Sequence, residues 1–325
     1  MHEALFYDKT YRGEAHCLLC PVRCHIANGR TGACGVRKNI NGTLYTENYG
    51  SISAMALDPI EKKPLFHFYP GFSILSISSY GCNFKCRFCQ NWELSQGMPD
   101  TEERSAYDVI DEAKRCRGNI GIAYTYNEPL IWYEFVMDTA KAARENGLVN
   151  VLVTNGYIEE QPHMELLPYI DAMNIDLKGG GEFYRKICGG DVNSVRKTIE
   201  RSYGRTHIEV TNLIIPGLND GMQDIEDMAK WLASVGKDIP LHLSKYYPQY
   251  KMARPETPAD TMLMARETAG KYLDYVYIGN VYGTDNNTYC PECNNLLVER
   301  KRRIRVAGIE NGRCTNCGHK INIIL

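Results

Sequence analysis

The chain has 325 residues, 44% of them hydrophobic and 23% charged, with a formal net charge of −2. These values are ordinary for a globular protein and leave room for one large α/β domain with one or two small ones. They exclude a global basic field that would recruit nucleic acid or anionic membrane, and no apolar run reaches the roughly 18 residues of a spanning helix. The first residues lack a basic region followed by an apolar core, so a cytoplasmic location is expected. In that reducing compartment the 13 cysteines read as metal ligands rather than disulfides. Eleven fall into three groups, and Cys116 and Cys188 stand alone.

The first group is Cys17-x2-Cys20-Pro-x2-Cys24, with Cys34 in Arg30-Thr-Gly-Ala-Cys-Gly35. Four thiolates separated by turn-forming residues suit a closed tetrahedral zinc site, with an iron–sulfur cluster as the second reading. His16 and His25 are near enough in sequence to be alternative ligands. Asn41-Gly42 signals a hairpin turn, and the small N-terminal domain is expected over residues 1–65.

Ser73 to Ser78 reads as a strand that runs into Gly81-Cys-Asn-Phe-Lys-Cys-Arg-Phe-Cys-Gln-Asn-Trp92. Cys82, Cys86 and Cys89 are spaced C-x3-C-x2-C, and Phe88 stands just before the last cysteine. Three thiolates on one short loop can hold three irons of a [4Fe–4S] cluster and leave the fourth iron to a small molecule. A closed zinc site takes four protein ligands, so zinc fits a run of three poorly.

From there strand and helix periods alternate. Helices are expected at Thr101 to Arg117 with Thr101 as cap, Leu130 to Asn146, Glu160 to Leu167, Val192 to Tyr203, Gln223 to Val235, and Pro258 to Tyr272. Strands are expected at Ile120 to Tyr126, Val149 to Thr154, Ala172 to Asp176, His207 to Ile215, Pro240 to Ser244, and Tyr275 to Ile278. This alternation argues for a parallel sheet with crossover helices. The expected fold is a partial (β/α)6-type TIM-like barrel over residues 66–282, with its chemistry at the C-terminal ends of the strands.

Residues 283–325 carry the third group, Cys290-Pro-Glu-Cys293 and Cys314-Thr-Asn-Cys317. Two C-x2-C pairs at this separation read as a zinc ribbon. The five basic residues between Arg300 and Arg305 have two readings, a nucleic-acid or partner surface and a solvated ribbon face. The second is preferred, since interleaved aromatics are missing.

The three-cysteine loop resembles that of radical S-adenosylmethionine (SAM) enzymes. The resemblance implies that SAM chelates the open iron, that an electron from the cluster cleaves its sulfonium, and that a 5′-deoxyadenosyl radical takes hydrogen from a substrate. It makes Cys82, Cys86 and Cys89 the catalytic centre and Phe88 a cofactor neighbour. Tyr124-Thr-Tyr-Asn-Glu-Pro129 resembles the Gly-Gly-Glu-Pro segment of relatives of pyruvate formate-lyase activating enzyme, which binds the SAM amino group. Asn127 and Glu128 match in place, without the glycine pair. Val153-Thr-Asn-Gly156 and Asn174-Ile-Asp-Leu-Lys178 resemble segments that hold a monovalent cation against the SAM carboxylate in that family. Thr154, Asn155, Asp176 and Lys178 are therefore candidate cofactor residues, although Val153 replaces the family's aspartate. His242 is either a SAM-contacting or proton-transfer group or a satisfied core histidine. On strand 207–215 the inward candidates include Glu209, Thr211 and Asn212. Cys188 is read as a hydrogen-atom donor or, more simply, a buried small hydrophobe. Tyr246, Tyr247 and Tyr250 are candidates for lining the barrel mouth.

Ala56-Leu-Asp-Pro-Ile-Glu-Lys-Lys-Pro-Leu-Phe-His-Phe68, Cys89-Gln-Asn-Trp92, His242-Leu-Ser-Lys-Tyr-Tyr-Pro248 and Val276-Tyr-Ile-Gly-Asn280 extend the likeness. With both terminal cysteine sets, nearly the whole chain resembles the radical SAM enzyme of the AmmeMemoRadiSam system. That implies an activase-like enzyme, a reductant such as ferredoxin or flavodoxin, and association with two other proteins, one similar to extradiol dioxygenases. Two other functions are weighed beside it: a glycyl-radical-enzyme activase acting on a protein glycine, and a cysteine-rich nucleic-acid-binding protein. No membrane partner is expected.

Overall fold

A computed structural model of the chain describes residues 1–10 and 13–325. Its centre is an eight-stranded sheet in sequential order, with β1 (Ala54–Pro59), β2 (Ser73–Ser78), β3 (Asn119–Tyr124), β4 (Val149–Thr154), β5 (Ala172–Asp176), β6 (His207–Ile214), β7 (Leu241–Lys245) and β8 (Val276–Gly279). Strands β2 to β8 are parallel, and β1 pairs antiparallel with β2. Both faces of these strands are covered, which explains near-continuous apolar runs such as Val149-Asn-Val-Leu-Val. Among the described residues β1 and β8 are the two edges, so the barrel is open. The antiparallel β1 runs into the start of the Ala56–Phe68 stretch.

The crossover helices are α1 (Ala106–Arg115), α2 (Tyr133–Glu145), α3 (Glu160–Leu166), α4 (Val192–Ser202), α5 (Met222–Val235) and α6 (Ala259–Ala269). None is long and apolar enough to cross a membrane. The first starts later than its sequence suggests. Ser105, not Thr101, is the cap, and it exchanges hydrogen bonds with Asp108 in a capping box. Glu102 and Glu103 instead pair as a short strand with Ser51–Ile52. A 3-10 turn over Pro129–Trp132 precedes α2, with Pro129 at its start, where a missing backbone donor costs nothing.

The N-terminal residues form two three-stranded sheets. Asn41 and Gly42 make the predicted hairpin turn, both at positive φ, between Arg37–Ile40 and Thr43–Thr46. The C-terminal residues form a three-stranded sheet and a two-stranded knuckle with their own core of Leu297, Val298, Ile321 and Ile323.

One end of the barrel is plugged. Leu65 and Phe68 pack with Ile74, Ala123, Val151 and Ala172 inside it, and Ile324 from the C-terminus joins them. Arg300 stacks its guanidinium 4.5 Å from the Phe66 ring centre and donates to Phe66 O. Lys301 and Arg305 pair with Glu299, leaving Arg302 and Arg303 exposed in the turn. The basic run is therefore divided between an internal clamp and a solvated face.

Candidate active site

The three-cysteine loop leaves the C-terminal end of β2 and is fixed from two sides. Ser79 N–H donates to Asn127 Oδ1 at 3.1 Å, and Asn127 Nδ2 donates to Gly81 O at 3.3 Å. Gly81 has φ +86, and a Cβ there would lie 2.7 Å from Cys34 O. Only glycine lets the loop press this closely on the N-terminal domain. On the far side Lys85 N–H donates to Cys188 O and Lys251 N–H to Arg87 O. Phe88 is buried and packs on Phe183 at 5.8 Å, so it holds the loop down.

The sulfurs are provided with donors. Phe84 N–H points to Cys82 Sγ at 3.4 Å, and Asn155 Nδ2 reaches the same sulfur at 3.7 Å. Ser95 Oγ lies 3.1 Å from Cys89 Sγ. Burial, and then the Glu128 charge, pushes the Cys82 thiol well above its ordinary range. Contact with Cys188, and then burial, does the same to Cys86. Such thiols ionise when a metal takes the proton's place. Lys178 favours that outcome for both Cys86 and Cys89. Burial alone would lower the Lys178 ammonium, but Asp176 at 2.6 Å and the neighbouring sulfurs hold it well above its ordinary value.

Glu128 ties the strand ends together. Oε1 accepts from Leu130 N–H at 2.9 Å and Thr154 Oγ1 at 2.6 Å, and Oε2 accepts from Asn155 N–H at 2.7 Å. Burial raises its carboxyl to about 7 despite these bonds. Its approach is set by Tyr126, which has φ 68, a conformation unusual for a bulky residue and typical of functional sites. Tyr126 stands where the activase segment has a glycine. Its hydroxyl bonds Asp58, which also pairs with the buried Lys63 at 2.7 Å.

The pattern of the radical SAM superfamily matches residues 76–232, from β2 into α5. An uncharacterized protein of Methanocaldococcus jannaschii is 45% identical over 337 residues, an alignment that covers 100% of both chains. This chain belongs to the radical SAM superfamily. Pyruvate formate-lyase-activating enzyme of Clostridium pasteurianum is 23% identical over 179 residues, covering 51% of this chain and 72% of that protein. The structure of Streptococcus suis SuiB bound to S-adenosylmethionine superimposes with a TM-score of 0.52 at 14% identity, over 64% of this chain and 52% of that one. That likeness concerns the fold.

Around the radical SAM loop the structure gathers Asn155, Lys178 and, through them, Glu128, Thr154 and Asp176. The three thiols, their donors and the adjacent ammonium fit a [4Fe–4S] cluster. His242 goes elsewhere. Its Nε2 lies 2.6 Å from Glu209 Oε2, its ring meets Phe66 edge-on, and it stacks on Tyr277. Glu209 also takes His207 Nε2 at 3.0 Å and the N–H groups of Phe66 and His67. Burial opposes its charge, but the two imidazoles hold Glu209 well below the usual carboxylate range. His242 is thus a satisfied histidine of the barrel plug.

Thr211 bonds Asn174 Oδ1 on the lumen side, whereas Asn212 turns the other way to Leu177 O. Cys188 is fully buried against Cys86. Tyr246 is buried, Tyr247 reaches Asn280 O, and Tyr250 stacks on Trp92 at 5.2 Å beside the loop. An open groove of about 620 Å³ sits at the opposite, N-terminal ends of β5 and β6, away from the cysteines. Sequence reading missed Ser95, Tyr184 and the Asp58–Lys63–Tyr126 group. Tyr184 OH accepts Lys178 N–H and donates to Asp176 O. Asp58, Lys63 and Tyr126 lie in segments that carry the family likeness, but only folding brings Tyr126 to Asp58, 68 residues away in sequence; Ser95 and Tyr184 stand outside those segments.

Proposed function

We propose that this radical SAM enzyme holds its cluster on Cys82, Cys86 and Cys89 and binds SAM beside the ends of β3, β4 and β5. The observation that carries the assignment is the placement of the three thiols against Asn155 and Lys178. When bound, the cluster and SAM supply reductive cleavage to methionine and a 5′-deoxyadenosyl radical that abstracts hydrogen. Glu128 has one free lone-pair direction on Oε2, which suits the SAM amino group. Asn155 orients Cys82, and its Oδ1 is already committed to Tyr157 N–H. Lys178 keeps positive charge next to Asp176, so we assign to it the role that a monovalent cation plays in the activases. Thr154 supports Glu128 rather than a cation. Asn127 and Phe88 act by fixing the loop.

The whole-chain resemblance favours the AmmeMemoRadiSam reading over a dedicated activase of one glycyl-radical enzyme. The electron donor is a low-potential protein of the ferredoxin or flavodoxin type. At the C-terminus, Cys290, Cys293, Cys314 and Cys317 place all four Sγ within 4.8 Å of one another. That spacing suits one closed structural zinc site.

The direct test is anaerobic, reduced protein incubated with SAM and analysed for 5′-deoxyadenosine and methionine. Both products are expected from the native chain and neither from the Cys82→Ala/Cys86→Ala/Cys89→Ala variant. Equal product from the two proteins would remove the assignment. A glycyl doublet in the EPR spectrum of a partner polypeptide would instead identify the protein-activase reaction.

A further inference from the structure

The two terminal cysteine sets are equal in ligand number and different in size. In the C-terminal set Cys290 Sγ lies 3.6 Å from Cys317 Sγ, and Cys293 Sγ lies 3.6 Å from Cys314 Sγ. A tetrahedron around one zinc, with Zn–S of about 2.3 Å, has edges of about 3.8 Å. No water fits at the centre of such a site. Among the described residues, the C-terminal four gather their ligand atoms within 4.8 Å of one another. Cys17, Cys20, Cys24 and Cys34 do not form such a group. They line a common cavity with Val22, Ile26 and Ile131, and it offers about 10 Å³ to the centre of a water molecule. That is room for about one water. Sulfurs set around such a space are spaced more widely than the tetrahedron of a single zinc requires. A four-iron cubane can span them, because each thiolate binds a different corner.

The walls suit an anionic cluster. Cys17, Cys20 and Cys34 are buried and Cys24 is half-buried. Ala33 N–H donates to Cys24 Sγ at 3.4 Å. Arg37 lines the same cavity, is 1% exposed, and has its Nε without a partner among the described residues. Its Nη2 holds Glu134 at 2.5 Å, so the side chain is fixed while Nε–H stays available to a sulfur. His16 and His25 stack on each other at 4.2 Å and are absent from the cavity wall.

The position of the cavity gives it a purpose. Cys82 N–H donates to Cys34 O at 3.3 Å, so one hydrogen bond joins a ligand of one site to a ligand of the other. Asn83 adjoins Cys82, lines the N-terminal cavity, and bonds Asn155 Nδ2 at 2.8 Å. From these observations we infer that Cys17, Cys20, Cys24 and Cys34 hold a second [4Fe–4S] cluster, which relays single electrons to the cluster on Cys82, Cys86 and Cys89. A low-potential one-electron donor protein is oxidised by one electron as the N-terminal cluster goes from the 2+ to the 1+ state. That electron then passes inward and returns the N-terminal cluster to 2+, with no atom transferred. The relay, though not the N-terminal cluster itself, rests on the assignment of SAM cleavage to the central loop.

The test begins with the intact protein, purified without oxygen. About eight irons, eight sulfides and one zinc per chain are expected, against about four, four and two if the N-terminal set holds zinc. After reduction, EPR should show two cluster signals, one altered by SAM and one indifferent to it. The Cys82→Ala/Cys86→Ala/Cys89→Ala variant should keep only the indifferent signal. In a Cys17→Ala/Cys20→Ala variant that signal should vanish. Turnover driven by reduced flavodoxin should then fall by more than an order of magnitude relative to turnover driven by dithionite. One four-iron cluster with two zincs in the native chain would overturn the inference. An unchanged ratio of flavodoxin to dithionite turnover would overturn the relay alone. Loss of the SAM-sensitive signal from the native chain would instead strike the central assignment and leave the N-terminal cluster standing.

Discussion

The N-terminal and C-terminal cysteine sets differ in who builds their walls. The C-terminal four sit on two knuckles with a private core, and Leu297, Val298, Ile321 and Ile323 are neighbours within the same short segment. The N-terminal four share their cavity with Ile131 and Asn83, residues that belong to the barrel. Arg37 likewise reaches across to Glu134 on α2. A metal site walled by its own segment serves chiefly to fold that segment. One walled by the catalytic domain is coupled to it.

Four substitutions can break or sharpen this contrast. The largest effect is expected from Cys86→Ala, which should reduce SAM cleavage to background while C-terminal zinc stays bound. Parallel loss of zinc would mean that the two regions are not separable. Next comes Arg37→Met. It strands a buried carboxylate, Glu134, and should lower unfolding free energy by about 3–5 kcal/mol, read from denaturant midpoints. A change below about 1 kcal/mol, on the scale of exposed ion pairs, would show that the N-terminal domain is not anchored through this pair.

Glu128→Ala is expected to weaken SAM binding by about 1.5–3 kcal/mol, roughly tenfold to a hundredfold. The pH dependence adds a sign. Burial holds Glu128 up at about 7 in the free protein, so its charge is present above that pH and lost below it. SAM affinity should therefore fall as pH drops through 7, and Glu128→Gln should remove this component. For stability the sign is opposite. A raised carboxyl contributes stability fully below its ordinary value, and that contribution is lost as pH rises through the folded value. Calorimetric titration from pH 6 to 8 checks the binding claim, and identical profiles for native and variant would refute it.

The smallest of the four concerns the C-terminal end. Arg300→Met removes the donor to Phe66 O and Thr288 Oγ1 and should destabilise by about 1–3 kcal/mol, with SAM turnover per folded molecule unchanged. This clamp and Ile324 also alter the expected result of deleting the C-terminal domain. From sequence alone, truncation after Val281 should spare the barrel. With Ile324 packed in the plug and Tyr69 N–H bonded to Ile324 O, the truncated barrel loses part of its floor and should unfold more easily.

Much of the chemistry was legible in the chain. The C-x3-C-x2-C spacing defines the three-thiol loop wherever the chain goes, because its eight-residue span after β2 must bring the sulfurs near one another. The β/α alternation likewise follows from hydrophobic period, and β2, β4 and β5 begin and end where that period places them. Paired C-x2-C knuckles impose their own geometry through short turns. What the sequence left open is the width of the N-terminal set, since spacing limits how far Cys34 can lie from Cys17 but not where it stops. That distance is decided when Cys34 docks on Gly81 and Arg37 is drawn to Glu134. The same holds for His242, whose partner Glu209 belongs to a neighbouring strand and whose other neighbours come from the plug. Local pattern determines which residues can act. Long-range packing, which alone sets distances between side chains from separate elements, decides which of them meet.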